Sequence, residues 1–227
     1  MLTAIFWDMD GTLVDTEPLW GTATYELSEL LGRRLTPELR DLTVGGSFPN
    51  TLRICADHAG VELREGDHAR YRRHLFDRMA QLLDAHLTPN PGIPELLASL
   101  HARDVPMLVT TNTERELADP SITAVGDHFF IDSVAGDEVP RPKPAPDMYL
   151  EAARRVGADP GQCLVFEDST AGMTAAVLAG CRVIGLPADD ATPVPQGVVS
   201  LRELHGRASL AGVTAADVFG WFDHVTR

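Results

Sequence analysis

Short apolar, β-prone runs alternate along the chain with longer segments whose apolar residues recur at helical spacing. The β-prone runs cover residues 3–7, 106–109, 163–166, 182–186 and 197–201. Between them, apolar positions follow the i, i+3, i+4, i+7 pattern of an amphipathic helix, as in residues 93–100 and 149–156. Strands that alternate with helices in this way predict an α/β fold built on a doubly wound parallel sheet.

The segment from residue 16 to residue 83 interrupts this alternation. It contains no convincing strand, but it carries helical patterns and helix-start signals such as Pro18 and Thr36-Pro37. We therefore expect a core formed by residues 1–15 and 84–227, with a helical domain of residues 16–83 inserted into it. The Gly45-Gly46-Ser47 turn is the loop of this insert expected to face the core. Pro120 is expected to end or kink the helix that starts near residue 114.

The charge balance of the chain limits its partners. Asp and Glu outnumber Lys and Arg by 33 to 19, which gives a formal net charge of −14. Such a surface repels nucleic acids and anionic membranes, so neither is expected as a partner. The sequence has no basic leader and no run near the roughly 18 apolar residues of a membrane span, so it predicts a cytoplasmic protein. A monomer is favoured, because nothing in the sequence marks an exposed apolar seam. Three cysteines without a C-x-x-C pair argue against a disulfide scaffold.

Lys143 is the only lysine among the 19 basic residues, all the others being arginine. A lone lysine is either a compositional accident or a position that needs a compact ammonium instead of a planar guanidinium. An acidic chain that binds a small anion needs a locally positive pocket, and Lys143 can supply that charge.

Polar clusters follow three of the predicted strands, at the edge where a parallel sheet binds ligands. The clusters are Asp8-Met9-Asp10-Gly11-Thr12, Thr110-Thr111-Asn112 and Glu167-Asp168-Ser169. Gathered carboxylates repel one another unless a cation neutralises them, and oxygen ligands beside a phosphate suit Mg²⁺. The alternative is that Asp8 and Asp10 are a solvated turn acid and a helix cap. Asn112 either binds phosphate or caps the next helix, and Thr113 with Glu116 has the pattern of a capping box.

Four of these segments resemble, in order, the four motifs of the haloacid dehalogenase superfamily. They are Asp8-x-Asp10-Gly-Thr-Leu-Val-Asp15, Thr110 after its strand, Lys143 in Arg-Pro-Lys-Pro-Ala-Pro-Asp, and Glu167-Asp168-Ser-Thr-Ala-Gly. The resemblance extends from about residue 3 to residue 186. It implies a Rossmann-like core with a helical cap, similar to that of phosphoglycolate phosphatases, sugar-phosphate phosphatases and β-phosphoglucomutase.

The resemblance also implies roles for individual residues. Asp8 would be the nucleophile that forms an aspartyl-phosphate, and Asp10 would protonate the leaving oxygen and later activate water. Thr110 and Lys143 would stabilise the phosphoryl oxygens, and Thr111 and Asn112 would bind the phosphate. Dehalogenating relatives lack the second acid of the first motif, so the presence of Asp10 favours phosphate chemistry.

The same resemblance implies a set of ligands for Mg²⁺. The ion would be held by the Asp8 carboxylate, the Asp10 main-chain carbonyl and Asp168, with Glu167 as a direct or water-mediated partner. The function implied is a Mg²⁺-dependent phosphatase that hydrolyses a small phosphorylated metabolite, such as a sugar phosphate.

Two other functions use similar residues. A β-phosphoglucomutase-like phosphotransferase would use the same aspartyl-phosphate, but those enzymes have a histidine shortly after the first motif, where this chain has Trp20. An indole N–H only donates and cannot act as an acid or base, so hydrolysis is favoured over isomerisation. A receiver-type phospho-acceptor also combines strand-end acids with Thr and Lys, but such domains are much shorter and have no helical insert.

Overall fold

The computed structural model describes residues 1–44, 47–189 and 192–225. The chain divides into two compact units, one formed by Met1–Asp15 with Thr88–Arg227 and the other by Thr16–Leu87. The second unit ends at Leu87, a few residues beyond the expected boundary at residue 83, because a long helix continues to His86. The Gly45-Gly46 turn lies outside the described residues.

The first unit contains a parallel sheet that has six strands within the described residues, in the order β3-β2-β1-β4-β5-β6. The strands are β1 (Ala4–Asp8), β2 (Met107–Thr110), β3 (Asp132–Val134), β4 (Cys163–Glu167), β5 (Arg182–Gly185) and β6 (Val198–Ser200). The predicted α/β fold with a doubly wound parallel sheet is confirmed.

The central strands read as unbroken apolar runs because they are buried on both faces. Every residue of β1, β2 and β4 is buried. Trp7 on β1 is in register with Phe166 on β4, and their rings stack with centroids 4.4 Å apart. This register places Asp8 and Glu167, the last residues of the two strands, at the same edge of the sheet.

The helices of this unit lie between its strands, except the last two, which follow β6. They are α5 (Ile93–His101), α6 (Arg115–Val125), α7 (Asp147–Val156), α8 (Thr170–Ala179), α9 (Leu201–His205) and α10 (Ala215–His224). Their apolar faces pack on the sheet, where each buried large aliphatic side chain contributes about 1.5–3 kcal/mol.

Two features of this unit differ from the sequence-based expectations. The short edge strand β3 has no apolar run, because its residues are Asp, Ser and Val, and no sequence pattern indicates it. Helix α6 continues through Pro120 to Val125, so the expectation that it ends there is wrong, and the alternative of a kink stays a prediction. Leu117 and Ile122, on either side of Pro120, are both buried, and their packing offsets the backbone hydrogen bond that proline lacks.

The second unit is helical, with α1 (Glu17–Leu30), α2 (Pro37–Asp41), α3 (Phe48–Ala59) and α4 (Asp67–His86). Pro18 lies in the first turn of α1, and the Thr36 hydroxyl accepts the N–H of Leu39 at the start of α2. Leu27, Leu52 and Met79 contribute to its buried interior.

Cys55, Cys163 and Cys181 are free thiols and are buried. Within the described residues, no helix combines the length and the apolar character needed to cross a bilayer. The cytoplasmic location stays a prediction.

Candidate active site

An ammonium group and three carboxylates meet at the carboxyl edge of the sheet. Asp8 and Glu167 end β1 and β4, Asp168 follows directly, and Lys143 enters from the loop between β3 and α7. The Lys143 Nζ donates to Asp8 Oδ1 at 2.6 Å, to Glu167 Oε1 at 2.5 Å and to the Thr110 carbonyl at 3.0 Å. Lys143, Asp8 and Glu167 are all buried, so these bonds are charge-assisted and poorly screened.

The negative charge of this cluster exceeds its positive charge. Burial alone would lower the pKa of Lys143, but the carboxylates of Asp8 and Glu167 raise it well above its usual value, so the lysine stays protonated. Burial and the neighbouring Glu167 raise the pKa of Asp8, and the same two causes raise the pKa of Asp168 to about 7. Carboxylate oxygens of Asp8, Glu167 and Asp168 lie within 4.8 Å of one another.

Two oxygens of this cluster are buried without a hydrogen-bond partner among the described residues, namely Asp8 Oδ2 and Asp168 Oδ1. A buried carboxylate oxygen that accepts nothing is costly unless a cation lies beside it. Gly11 has a φ of +92°, and a Cβ built on it would lie 2.0 Å from Asp168 Oδ2. The missing side chain of Gly11 thus lets the Asp168 carboxylate approach the main chain closely. The site suits a divalent cation in its charge and its oxygen ligands.

Both carboxylate oxygens of Glu167 accept hydrogen bonds. Oε1 accepts from Lys143 and from the Tyr149 hydroxyl, the latter at 2.7 Å. Oε2 accepts from the Ser169 N–H at 3.3 Å and the Ser169 hydroxyl at 3.1 Å. Glu167 thus orients Lys143, and Tyr149 in turn holds Glu167. Sequence reasoning missed this role of Tyr149, because its position in the helical pattern of α7 is that of an ordinary core residue.

Asp10 is held by two threonine hydroxyls. Thr111 Oγ1 donates to Asp10 Oδ2 at 3.0 Å, and Thr113 Oγ1 donates to the same oxygen at 2.8 Å. The expectation that Thr113 forms a capping box with Glu116 is wrong, because the N-cap of α6 is Glu114, with no side-chain cap bond.

The structure places Thr110 and Asn112 in unexpected roles. The Thr110 hydroxyl donates to the Trp7 carbonyl at 3.3 Å, because Thr110 is still part of β2, which ends one residue later than predicted. The Asn112 side chain does not cap α6: its Oδ1 accepts the Lys143 N–H at 2.9 Å and its Nδ2 donates to the Lys143 carbonyl at 3.2 Å. Asn112 therefore fixes the backbone of Lys143.

The fold and the site define a class of protein, namely α/β enzymes whose acids and lysine gather at the carboxyl edge of a parallel sheet. The chain belongs to the haloacid dehalogenase-like hydrolase family, whose model matches residues 2–180. The resemblance drawn from the four motifs is thus confirmed.

Named relatives support the same family. The fructose-1-phosphate phosphatase YqaB of Escherichia coli (strain K12) is 37% identical over 184 residues, which cover 79% of this chain and 94% of that protein. Hexitol phosphatase B of the same organism is 30% identical over 228 residues, 97% of each chain. A crystal structure of CbbY from Rhodobacter sphaeroides in complex with phosphate superposes with a TM-score of 0.82 at 26% identity, covering 96% of this chain and 100% of that one. The predicted enzyme class, a phosphoric monoester hydrolase of this family, is confirmed.

Proposed function

We propose that this enzyme is a Mg²⁺-dependent phosphatase that hydrolyses a small phosphomonoester through an aspartyl-phosphate on Asp8. The observation that carries the proposal is the environment of Asp8. One of its oxygens accepts a hydrogen bond from the buried ammonium of Lys143, and the other has no hydrogen-bond partner among the described residues. A carboxylate held in this way is fixed at the sheet edge where ligands bind, beside a positive charge that favours an anionic substrate.

Mg²⁺ would be held by the carboxylates of Asp8 and Asp168, with the Asp10 main-chain carbonyl as a third ligand. The unpartnered oxygens of Asp8 and Asp168 support this choice. Glu167 would contribute without coordinating the ion directly, because both of its oxygens already accept hydrogen bonds. When bound, Mg²⁺ neutralises the negative charges that would otherwise keep an anionic nucleophile apart from an anionic phosphate.

The chain's own residues would carry out two steps. First, an oxygen of Asp8 forms a bond to phosphorus while the bond from phosphorus to the ester oxygen breaks, and Asp10 gives that oxygen a proton. Second, Asp10 takes a proton from a water molecule whose oxygen attacks the same phosphorus, which releases inorganic phosphate and restores Asp8. Lys143 stabilises the charge on the phosphoryl oxygens in both steps.

The hydroxyl that meets the phosphoryl group would be that of Thr111, the first residue after β2, in place of Thr110. The bond from the Thr110 hydroxyl to a main-chain carbonyl supports this reassignment. When the phosphoryl group binds, the Thr111 hydroxyl would turn to it from Asp10 Oδ2, on which the Thr113 hydroxyl would remain. Asn112 would contribute indirectly, through its two hydrogen bonds to the backbone of Lys143.

The substrate would be a sugar phosphate or a similar small phosphomonoester. Relatives named for fructose 1-phosphate and for hexitols support this class. The helical unit, Thr16–Leu87, would act as the cap that excludes water and selects the substrate. The net charge of −14 argues against nucleic acid as a partner.

A phosphate-release screen tests this proposal. Sugar phosphates, hexitol phosphates, nucleotides and phosphoglycolate are compared with and without Mg²⁺. We expect Mg²⁺-dependent release from at least one carbohydrate phosphate. Asp8→Asn should reduce it by several orders of magnitude, on the scale of a lost nucleophile, whereas a change at the exposed Asp223, Asp223→Asn, should leave it unchanged.

Two results would contradict the proposal. Asp8→Asn with a tenth of the normal turnover would exclude the covalent step. Accumulation of glucose 6-phosphate from β-glucose 1-phosphate, with a catalytic amount of the bisphosphate, would identify a mutase instead.

A further inference from the structure

Thr113 lies where the sequence predicts a helix cap, but its hydroxyl is used elsewhere. The cap of α6 comes from another residue: the Arg115 N–H in the first turn donates to Asp137 Oδ1 at 2.9 Å. The Thr113 hydroxyl instead bonds to Asp10 Oδ2, which lies 103 positions earlier in the sequence.

The two threonines form a short chain of hydrogen bonds that ends on one oxygen of Asp10. The Thr113 N–H donates to Thr111 Oγ1 at 3.0 Å, and both threonine hydroxyls donate to Asp10 Oδ2. As an acceptor of two hydroxyl hydrogen bonds, Oδ2 is already engaged by protein donors. When the Thr111 hydroxyl turns to the phosphoryl group, as proposed above, the Thr113 hydroxyl remains on Oδ2 and keeps the orientation of the carboxyl group.

We propose that Thr113 is a positioning residue for proton transfer by Asp10. The Thr113 hydroxyl holds Oδ2 of Asp10, so that Asp10 gives and takes the proton through its other oxygen, Oδ1. The proposal rests on the acid–base role of Asp10 proposed above. The Oδ1–H bond breaks and the proton goes to the ester oxygen as that oxygen leaves phosphorus. Oδ1 receives a proton again from the water that attacks the aspartyl-phosphate, so no other reactant is needed.

The chemistry of the leaving group separates this role from a structural one. An alkoxide needs a proton as it departs, whereas p-nitrophenolate is stable enough to leave without one. The value of kcat/KM reports the reaction up to the first transfer, in which the leaving group departs. A defect in the positioning of the acid therefore reduces kcat/KM more for an alkyl phosphate than for p-nitrophenyl phosphate.

The experiment compares Thr113→Val, which keeps the shape and removes the hydroxyl, with Thr113→Ser, which keeps the hydroxyl. The probes are p-nitrophenyl phosphate and fructose 1-phosphate, the latter replaced by the best alkyl phosphate of the screen if it is not turned over. We expect Thr113→Val to lose about tenfold or more in kcat/KM on the alkyl ester and at most about threefold on the aryl ester. Thr113→Ser should recover most of the rate.

Ser121→Ala is the matched control, because it removes a buried hydroxyl whose partner within the described part of the chain is the Leu117 carbonyl of the same helix. It should change neither substrate's kinetics. Equal losses on both esters for Thr113→Val, or no loss on the alkyl ester, would overturn the inference, as would a Thr113→Ser variant as impaired as the valine.

Asp10→Asn in the same two assays separates this inference from the proposed function. If Asp10→Asn shows no preference for the aryl ester, the acid–base role of Asp10 itself fails. If Asp10→Asn shows that preference and Thr113→Val does not, only the positioning role of Thr113 fails.

Discussion

Lys143 uses one nitrogen for three hydrogen bonds, to Asp8, to Glu167 and to the Thr110 carbonyl. An ammonium donates in three directions from a single atom, whereas a guanidinium spreads its donors over a plane. The three acceptors surround Nζ in a buried space, and the Tyr149 ring lies 5.2 Å from it. The geometry therefore supplies a physical reason for a single lysine in a chain that otherwise uses arginine.

Lys143→Arg tests this requirement. The variant preserves the charge but does not fit the three acceptors, so we expect kcat/KM to fall by about 100-fold or more. The measurement is steady-state kinetics with the best substrate of the screen, and an exchange at the exposed Arg207, Arg207→Lys, serves as the control. Near-normal kinetics would mean that the single lysine is an accident of composition.

At this scale, the sequence predicts the residues that belong to motifs and misses those that support them. Asp8, Asp10, Lys143 and Asp168 could be expected at the carboxyl edge of the sheet because strand-end acids and a rare lysine stand out along the chain, and their catalytic roles stay predictions. Thr113 could not, because a threonine three positions before a glutamate has the pattern of a helix cap, and Asp10 is distant in sequence.

At the scale of secondary-structure elements, the start of α8 is packed unusually closely against the end of β4. A Cβ built on Gly172 would lie 1.8 Å from Glu167 Oε1, so only glycine allows this approach. The Gly172 N–H also donates to Ser169 Oγ at 3.0 Å, and Ser169 in turn holds Glu167. Helix α8 thus fixes the carboxylate that orients Lys143.

Gly172→Ala should displace Glu167 and impair the enzyme. We expect a loss of about tenfold or more in kcat/KM together with a lower Tm, because a buried ion pair is disturbed by overpacking. Gly220→Ala in α10 is the control, since a Cβ built on Gly220 would meet nothing within 4 Å. That change should keep activity and stabilise the protein by up to about 1 kcal/mol. An active and stable Gly172→Ala variant would refute the packing argument.

Elements were predicted well where burial on both faces makes strands apolar, as in β1, β2 and β4. They were predicted poorly where tertiary packing decides. The edge strand β3 is formed by pairing with β2, which no local pattern reveals. Helix α6 continues past Pro120 because buried side chains hold it on both sides.

For the molecule as a whole, the clustered carboxylates of Asp8, Glu167 and Asp168 lower the free energy of unfolding. The folded state raises the pKa of Asp168 from its usual 3.8 to about 7, mainly through burial and then through Glu167. A pKa raised by folding means that the ionised form is less favourable in the folded than in the unfolded chain, so stability falls as the pH rises between these values. At neutral pH the metal-free protein therefore carries a penalty.

Asp168→Asn should remove much of this penalty. We expect the metal-free variant to melt a few degrees higher than the metal-free wild type, about 2–4 °C for each kcal/mol recovered. Added Mg²⁺ should raise the Tm of the wild type and not that of the variant. Thermal melts with EDTA and with Mg²⁺ measure both effects, and a variant that still gains stability from Mg²⁺ would contradict the assigned ligands.

The buried position of Lys143 has a consequence for the chemical handling of this protein. It is the only ε-amine in the sequence, and its nitrogen is enclosed by two carboxylates. Reagents that acylate or methylate lysine should therefore leave Lys143 of the native protein untouched, and should modify it only after denaturation. Coupling to resins or fluorophores through lysine will fail for the folded enzyme, and the appearance of a modified lysine gives a direct signal that the core has opened.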